Sequence, residues 1–415
     1  MPRTFFLVLL VQFVSTLADN ALLIVAIARV MELQGPAWLI PFIKISSTVF
    51  YVVLAPLAGP LADAFRKGRV MLLANLLKTG AVLWLLLGAH PMLAIALAGL
   101  GAAVYAPAKY GLVTELLPPR DLVRANGFFE SVTVSAVILG TALGGLLVSP
   151  WFNDCCSPNW LFTGQPPSRL IAGVVCLVLM NTLATALSFG VADSGARYPR
   201  RSIHPLTLVV HFWRENRLLW RDRIGGLSMS VTTLLWGVGA TLQLIVLRWA
   251  NEALGLSLTQ AAYLQGVTAI GVMVGAALAS RFVRLEQATG LLPISILIGL
   301  LVPVMLGVQS VLLAVILLML IGALAGYFVV PMNAMLQHRG YTLLTAGRSI
   351  AVQGFNENAG MLLMLALYAV GTAWQVPLHW LIWGLGGLIT LGMAWLMVVY
   401  RNGARPSQLP VPTPR

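Results

Sequence analysis

Residues 101–131 read GAAVYAPAKYGLVTELLPPRDLVRANGFFES, two apolar runs that meet at a short charged turn. Residues 322–358 follow the same plan and read GALAGYFVVPMNAMLQHRGYTLLTAGRSIAVQGFNEN. Each stretch has a glycine-rich opening, a Tyr, a Pro and a turn, and then Gly-Phe-x-Glu, which ends at Glu130 in the first and at Glu357 in the second. The Pro-to-Glu spacing differs by three residues, so the stretches are a diverged repeat. The repeat predicts two related halves, with these hairpins near their interface.

The composition is that of an integral membrane protein. Hydrophobic residues make up 59% of the 415 residues and charged residues only 9%, whereas soluble proteins carry about 25% charged residues. A spanning helix needs about 20 mainly apolar residues. The first apolar run is longer than the roughly 7–15 residues of a signal-peptide core, so we interpret it as a retained helix. Twelve stretches qualify as spans: 4–31, 38–61, 69–89, 91–115, 123–149, 168–191, 224–250, 258–281, 287–308, 310–335, 343–372 and 376–400.

The longest polar interval divides these spans into six and six, in agreement with the repeat. We therefore predict an all-α membrane fold of twelve transmembrane helices in two six-helix halves. The polar, proline-rich C-terminal residues predict a disordered tail, and the proline-rich stretch 150–168 predicts an outward-facing loop. The predicted parts are an N-terminal bundle (1–191), a basic cytoplasmic linker (192–223), a C-terminal bundle (224–400) and the cytoplasmic tail (401–415).

Positive charge is distributed unevenly along the chain. The net charge is +13, and 20 of the 26 Lys and Arg residues fall at one end of the predicted spans, in alternate loops, the linker and the termini. Short cationic loops stay in the cytoplasm, which predicts that both termini face inward. The same charge attracts anionic lipid. Nucleic-acid binding is disfavoured, since no aromatic and basic surface module accompanies the charge. The three cysteines have no metal-ligand spacing, and we expect neither a metal nor a cofactor.

The first span carries an acidic residue, Asp19, close to its middle. A charge near the bilayer centre costs about 2.5–3.5 kcal/mol, so it needs a reason. Gln12, Ser15, Thr16 and Asp19 share one helix face at steps of three and four. One hypothesis is a site for Na⁺ or H⁺, or a partner for a cationic headgroup. The alternative is a packed acid held by a structural ion pair or hydrogen bonds.

The opening hairpin carries Lys109 in one span and Glu130 in the next, at similar depths. Either the two form a buried ion pair that locks the hairpin, or Lys109 meets an anionic substrate group and Glu130 is its resting partner. In the second copy of the repeat Asn333 takes the place of Lys109, so Glu357 has no lysine opposite it. A carboxylate without an evident partner favours a titrating or cation-binding role.

Three other cations lie within or near spans. We interpret Lys44 and Lys78 as residues that extend along the helix to reach the membrane surface. Arg248, near the outer end of the seventh span, is either a gate charge or an interface anchor.

Residues 59–69, GPLADAFRKGR, join the second and third spans and resemble the signature loop of the major facilitator superfamily, with extra residues before the final Gly-Arg. Its conformational residues would be Asp63, Arg66, Lys67 and Arg69. More specifically, the chain resembles the bacterial lysophospholipid transporter family over about 85–90% of its length. The blocks that carry this resemblance are Asp19-Asn20-Ala21-Leu22-Leu23, Ala62-Asp63, Lys67 to Met71, Pro107 to Gly111, Ala125-Asn126-Gly127, Val330 to Ala334 and Glu357-Asn358.

The resemblance implies a transporter that moves lysophospholipids, such as 2-acyl-glycerophosphoethanolamine, inward across the bacterial inner membrane by alternating access. It also implies a functional link to an acyltransferase/acyl-carrier-protein synthetase that re-acylates the lipid, and we expect a monomer. Gln243 stands where the best-known members have an arginine, and Arg248 is a candidate substitute. Met361, Met364, Phe328 and Phe355 are candidates for the acyl-chain surface. The candidate substrate site is Lys109, Asp19, Glu130, Glu357, Gln243, Asn333 and Tyr105, with Asp19 and Glu357 as a candidate cation site.

The alternatives to a lysophospholipid transporter are another kind of facilitator, a membrane enzyme and a structural membrane protein. A facilitator that exports a drug or small organic ion by proton or sodium exchange would use Asp19 and Glu357 equally well. A lipid-modifying membrane enzyme is disfavoured, because the five histidines form no His-x₄-Asp pair and no Gly-x-Ser-x-Gly motif is present. A purely structural membrane protein would not need three acids within its spans.

Overall fold

The computed structural model describes residues 1–34, 43, 48–156, 170–198 and 204–402, and within these residues it contains helices and no β-strand. Residues 48–53 are helical and belong to the second predicted span. The other α-helices are α1 (Arg3–Glu32), α2 (Ala55–Ala64), α3 (Lys67–Leu86), α4 (Pro91–Leu116), α5 (Leu122–Val148), α6 (Pro150–Cys155), α7 (Ile171–Phe189), α8 (Pro205–Arg221), α9 (Arg223–Leu254), α10 (Leu258–Phe282), α11 (Leu292–Val304), α12 (Val311–Leu343), α13 (Ala346–Ala373) and α14 (Leu378–Asn402).

Ten of the described helical segments are long and apolar enough to cross a membrane. They correspond to all the predicted spans except the second and the eleventh. The second, 38–61, lies partly outside the described residues. The eleventh corresponds to α13, which has 28 residues but is less apolar because Arg348, Glu357 and several amides occupy its first half. The predicted all-α membrane fold is confirmed, and the predicted tail beyond Asn402 lies outside the described residues.

The predicted turn between the tenth and eleventh spans is wrong in its position. α12 continues to Leu343, so Arg339 lies on the helix and not in a loop. Arg339 donates two hydrogen bonds to the carboxylate of Asp222, with N–O distances of 2.9 and 2.7 Å. This contact holds the last turns of α12 beyond the apolar run from which the span was predicted.

Two predicted loops also contain helices. α6 starts the stretch 150–168, and its N-terminus is capped by the hydroxyl of Ser149, which accepts a hydrogen bond from the backbone N–H of Phe152 at 3.3 Å. Residues 157–168 of that stretch lie outside the described residues. α8 occupies much of the linker 192–223. Leu208, Phe212 and Leu219 recur at helical spacing and form its buried face.

The helix packing repeats between the two halves. In the first half α1 packs against α5, α2 against α4 and α3 against α7. In the second half the corresponding pairs are α9 with α13, α10 with α12 and α11 with α14. Contacts between the halves are made by α5 with α10 and α12, and by α13 with α2 and α4. The helices that carry Gly-Phe-x-Glu, α5 and α13, are therefore the ones that lie at the interface, as the repeat predicted.

Small residues allow close approach at this interface. A Cβ atom on Gly59 of α2 would lie 2.9 Å from the Cα of Arg348 at the start of α13. A Cβ on Gly127 of α5 would overlap the side chain of Ser280 on α10. Both contacts lie at the end of the bundle that holds the α2–α3 turn, the α4–α5 turn and α8. We call this the basic end, because most of the cationic loops are there.

Candidate functional site

A cavity of about 330 Å³ lies between the two halves. Its walls come from α1, residues 48–53, α2, α4 and α5 in the first half and from α9, α12 and α13 in the second. Charged side chains reach it from both sides: Asp19, Lys109 and Glu130 from the first half and Glu357 from the second. With Asn333, five of the seven predicted substrate-site residues therefore meet here.

Asp19 is paired with a lysine that the sequence interpretation assigned to the membrane surface. The Nζ of Lys78 lies 2.6 Å from Oδ2 of Asp19 and donates a hydrogen bond to Ser15 Oγ at 2.7 Å. The Lys78 side chain is only 2% exposed, whereas that of Asp19 is 34% exposed and faces the cavity. The interpretation of Lys78 as a residue that extends to the surface is therefore wrong, because it lies midway along α3. Lys44 lies outside the described residues.

Lys109 is buried but makes no ion pair with a described residue. Its Nζ donates to Oε1 of Gln12 at 2.9 Å and lies 4.0 Å from the centre of the Tyr110 ring. The rings of Phe129 and Tyr105 are 5.5 and 5.7 Å away. An ammonium group over aromatic faces is attracted by their quadrupoles, and this substitutes for a counter-ion. The hypothesis that Lys109 and Glu130 form a locking ion pair is not supported by this geometry.

The two glutamates of the repeat have different surroundings. Glu130 accepts no hydrogen bond from the described part of the chain, and its carboxylate faces the cavity. Glu357 accepts a hydrogen bond from Nε2 of Gln353 at 2.8 Å. The same Nε2 lies 3.2 Å from Oδ1 of Asn333, so Gln353 links two of the predicted site residues. The Oε1 of Gln353 is buried and has no hydrogen-bond partner among the described residues.

Other predicted site residues lie elsewhere. Gln243 does not line the cavity: it is exposed, and its backbone carbonyl accepts a hydrogen bond from the side chain of Gln265 at 2.5 Å. Arg248 pairs with Glu252 one turn along α9 at 2.6 Å and does not line the cavity. Tyr105 is 5% exposed, and its hydroxyl has no partner in the structure. Tyr105 does not line the cavity, and its contribution is the aromatic ring that lies 5.7 Å from the Nζ of Lys109.

The proposed acyl-chain surface is also wrong in part. Phe328 is fully buried in the core. Phe355 packs edge-on against Phe212 and Trp213 of α8, with ring centroids 5.2 and 5.4 Å apart. Aromatic side chains on helices of a bundle more often fill space between helices than line a cavity, and the sequence did not distinguish the two.

The site includes residues that the sequence prediction left out. Tyr110, Trp236, Asn126 and Gln337 all line the cavity. Gln12 also lines it and connects Lys109 to Thr16 and Thr133, to which its Nε2 donates at 2.8 and 3.2 Å. The signal for Gln12 was present, because it shares the helix face of Asp19.

The basic end is closed by a carboxylate from one half that caps a helix of the other. Asp63 accepts hydrogen bonds from the backbone N–H groups of Gly347 at 2.8 Å and Arg348 at 3.2 Å, and from the hydroxyl of Thr345. The side chain of Thr345, the residue that precedes α13, does not itself cap the helix. Asp63 therefore supplies the negative charge and the acceptor that a helix N-terminus favours.

The other conformational residues predicted around Asp63 have unequal roles. Lys67 is buried, with its Nζ 3.4 Å from Asp63 and 2.6 Å from Glu115. Arg66 pairs with Asp193 at 3.4 Å, and Arg69 is exposed. Hydrogen bonds from Arg197 hold the pKa of Asp193 below its usual range. Asp63 thus joins the two halves, Lys67 neutralises Asp63 and Glu115 within the first half, and Arg66 binds the segment that follows α7.

A second polar contact closes the floor of the cavity. Asn126 of α5 and Gln337 of α12 exchange two amide hydrogen bonds, at 2.8 and 3.0 Å. Between the described parts of the two halves, the hydrogen bond nearest the other end joins Ser135 to the sulfur of Met273 at 3.2 Å. Ser135 is at the midpoint of α5. The polar contacts between the halves are therefore confined to the basic end and the middle of the bundle.

Two packed helical halves with a charged cavity between them define a polytopic membrane transporter. The chain belongs to the Major Facilitator Superfamily, whose model matches residues 8–363. It is 36% identical to the lysophospholipid transporter LplT of Pectobacterium carotovorum subsp. carotovorum strain PC1 and 37% identical to that of Yersinia pestis strain Pestoides F. Each match spans 371 residues, 89% of this chain and 87% of the relative. The family resemblance inferred from the sequence is confirmed.

Solved structures support the fold. A bacterial homologue of the iron transporter ferroportin in an outward-facing state matches with a TM-score of 0.70 at 14% identity, over 97% of this chain and 100% of that chain. The transporter FucP in an outward conformation matches with a TM-score of 0.71 at 13% identity, over 97% and 99% of the two chains. At such low identity these structures are evidence for the fold alone.

Proposed function

We propose that this protein transports lysophospholipids by alternating access, with the headgroup bound in the cavity between the halves. The observation that carries this proposal is that the positive charge of Lys109 reaches the cavity without a counter-ion among the described residues. The ammonium group uses one hydrogen bond on Gln12. An ammonium group is a strong point-charge donor to phosphate. Glu130 and Glu357 lie around the same cavity and suit the amine of a zwitterionic headgroup.

Replacement of the ammonium group tests this assignment. We expect Lys109→Ala to abolish uptake of labelled lysophosphatidylethanolamine into proteoliposomes, because the phosphate then enters the cavity without a cation. Arg248→Gln is the matched control, since it removes a cation that is paired with Glu252 outside the cavity, and it should leave uptake unchanged. Normal uptake by a folded Lys109→Ala variant would exclude Lys109 from the site.

Of the two residues in the candidate cation site, Asp19 and Glu357, we favour Glu357. Asp19 is already paired with Lys78, so a coupling Na⁺ or H⁺ is better placed at Glu357, next to the unpartnered Oε1 of Gln353. Uptake measured with and without a Na⁺ gradient at fixed pH tests this point. Equal uptake in the two conditions, in the wild type and in Glu357→Gln alike, would argue against Na⁺ coupling at this residue.

The proposal extends to the cellular setting. We place the protein in the bacterial inner membrane, with the basic end and both termini in the cytoplasm. At the opposite end Arg29 pairs with Glu32 and Arg248 with Glu252, so their charges are balanced locally. The lysolipid delivered inward would then be re-acylated by a separate acyltransferase/acyl-carrier-protein synthetase. Export of a drug or small organic ion is not favoured by the relatives.

A further inference from the structure

The linker helix α8 has an outer face that the cavity does not use and that the bundle contacts at one edge of Trp213, whose ring lies 5.4 Å from that of Phe355. Its inner face packs on both halves, because Leu208, Phe212 and Glu215 lie over α2 and α13. Its outer face presents Leu206, Val210 and Trp213, which are 72%, 60% and 53% exposed. Unlike the spans, α8 has only 17 residues, four of which are charged, so it is too short and too polar to cross a membrane. Apolar residues exposed on such a helix require a partner.

Three arginines lie on this same outer face. Arg214, Arg217 and Arg221 follow one another at steps of three and four, so they form one ridge beside the exposed apolar residues. All three are exposed. A helix with arginines and large apolar residues on its outer face is typical of one that lies in a membrane interface and attracts anionic lipid.

The depth of α8 in the bundle identifies the partner as the bilayer rather than a soluble protein. Phe212 packs against Phe355, and both Asn216 and Trp220 bond to Asn356, at 2.8 and 2.9 Å. Phe355 is nine residues into α13, about 13 Å of helix rise from the end that Asp63 caps. α8 therefore lies beside the spanning helices, at the level where their basic ends enter the headgroup region, and not below them.

We propose that the outer face of α8, formed by Leu206, Val210, Trp213, Arg214, Arg217 and Arg221, is a binding surface for anionic lipid headgroups of the surrounding membrane. The arginines bind the headgroup phosphates, and the three apolar side chains enter the adjoining acyl region. This surface is separate from the transport cavity and does not depend on which substrate the cavity binds.

Lipid bound to the outer face of α8 would also influence the contact between Asp63 and α13 that closes the basic end. Glu215, on the inner face of α8, lies 3.2 Å from Arg348, whose Nε is 3.8 Å from Asp63. α8 is thereby connected to both halves through one chain of charges. A lipid that holds α8 in place favours the arrangement in which Asp63 caps α13.

Fluorescence quenching in the full-length protein tests the surface. The protein and its Trp213→Phe variant are reconstituted in equimolar phosphatidylcholine and phosphatidylglycerol, with bromine on the acyl chains of the phosphatidylglycerol in one bilayer and of the phosphatidylcholine in the other. The difference between the two proteins reports Trp213 alone. We expect Trp213 to be quenched more strongly when the phosphatidylglycerol carries the bromine, because the arginines collect that lipid beside it. Trp395, 65% exposed on the lipid side of α14, is the control, and its Trp395→Phe difference should show equal quenching in both bilayers.

Charge removal gives the second arm. The triple variant Arg214→Gln, Arg217→Gln and Arg221→Gln should lose this stronger quenching of Trp213 by brominated phosphatidylglycerol. The matched control Arg120→Gln, Arg281→Gln and Arg284→Gln removes three other exposed charges near the same end and should retain it. An unquenched Trp213 in both bilayers would mean that water or another protein covers this face. Equal quenching of Trp213 in both bilayers, or a preference for brominated phosphatidylglycerol that the first triple variant keeps, would mean apolar insertion without recognition of anionic lipid by these arginines. Either result overturns the proposal.

Discussion

At the scale of single residues, the site depends on which charges are compensated. Asp19 and Lys109 both lie deep in the first half, but Asp19 has a buried lysine behind it, whereas Lys109 has aromatic rings and a neutral amide. Removal of one partner from a buried ion pair leaves the other charge without compensation, and this costs more than the pair contributes. The Asp19–Lys78 pair is therefore a structural element as well as part of the cavity wall.

Lys78→Met should destabilise the protein through Asp19. Loss of one partner of a buried pair costs about 3–5 kcal/mol, and we expect the lower end of this range because Asp19 is partly exposed to the cavity. Thermal unfolding in detergent measures the effect. The double variant Asp19→Asn and Lys78→Met should regain most of the lost stability, since neither charge remains. A double variant as unstable as Lys78→Met would show that Lys78 acts by packing and not by charge.

At the scale of helices, the end of α12 was misplaced and the helix α8 was missed for one physical reason. Apolar periodicity measures where a helix leaves the bilayer, but it does not detect a helix that continues into water on polar contacts. α12 continues because Arg339 binds Asp222, which also caps α9 by accepting from the N–H of Gly225 at 2.7 Å. α8 was missed because a helix with only one apolar face resembles a polar loop when span length is the criterion.

The Asp222 contact should make stability depend on pH. Burial opposes ionisation of Asp222, but the hydrogen bonds from Arg339 and from the backbone of Gly225 outweigh it and hold its pKa below the usual value. The ionised carboxylate therefore stabilises the fold above the unfolded-state pKa of about 3.9, and this contribution is lost as the pH falls through the folded-state pKa.

Asp222→Asn should therefore lower the melting temperature at neutral pH. Solvent screening limits the loss to about 1 kcal/mol. The difference in melting temperature between the variant and the wild type should disappear as the pH falls through the folded-state pKa of Asp222. A difference in melting temperature that persists at that low pH would mean that the variant is destabilised by the shape of the new side chain and not by the loss of charge.

At the scale of the whole molecule, polar contacts join the two halves from the basic end to the middle of the bundle. Asp63 with α13, and Asn126 with Gln337, seal the cavity on that side. In the orientation that we propose, in which the basic end faces the cytoplasm, this arrangement is closed to the inside. Alternating access then requires that the cap on α13 break so that the halves can rock about the cavity.

Two native cysteines make the orientation measurable. Cys155 and Cys156 are exposed and follow α5 at the end opposite the basic end. A membrane-impermeant thiol reagent added to intact spheroplasts should label them. In a variant that lacks the native cysteines, Arg120→Cys at the α4–α5 turn should react only in inverted vesicles. The reverse pattern of labelling would overturn the orientation inferred from positive charge.

The sequence by itself determined the membrane class, the number and approximate position of most spans, the two-half repeat and the family. These follow from composition and from patterns within single segments, because the bilayer imposes the same length and polarity on every span. It also placed Asp19, Lys109, Glu130, Glu357 and Asn333 at the cavity.

Only the tertiary structure decided how the charges are compensated. Lys78 reaches Asp19 across 59 positions of the chain, and Asp63 reaches Gly347 across 284. No local pattern encodes such pairs, because they depend on which faces of separate helices meet. The structure also places Gln243 and Arg248 outside the cavity lining, which position along a helix could not show, because it does not indicate whether a side chain faces the cavity, another helix or lipid.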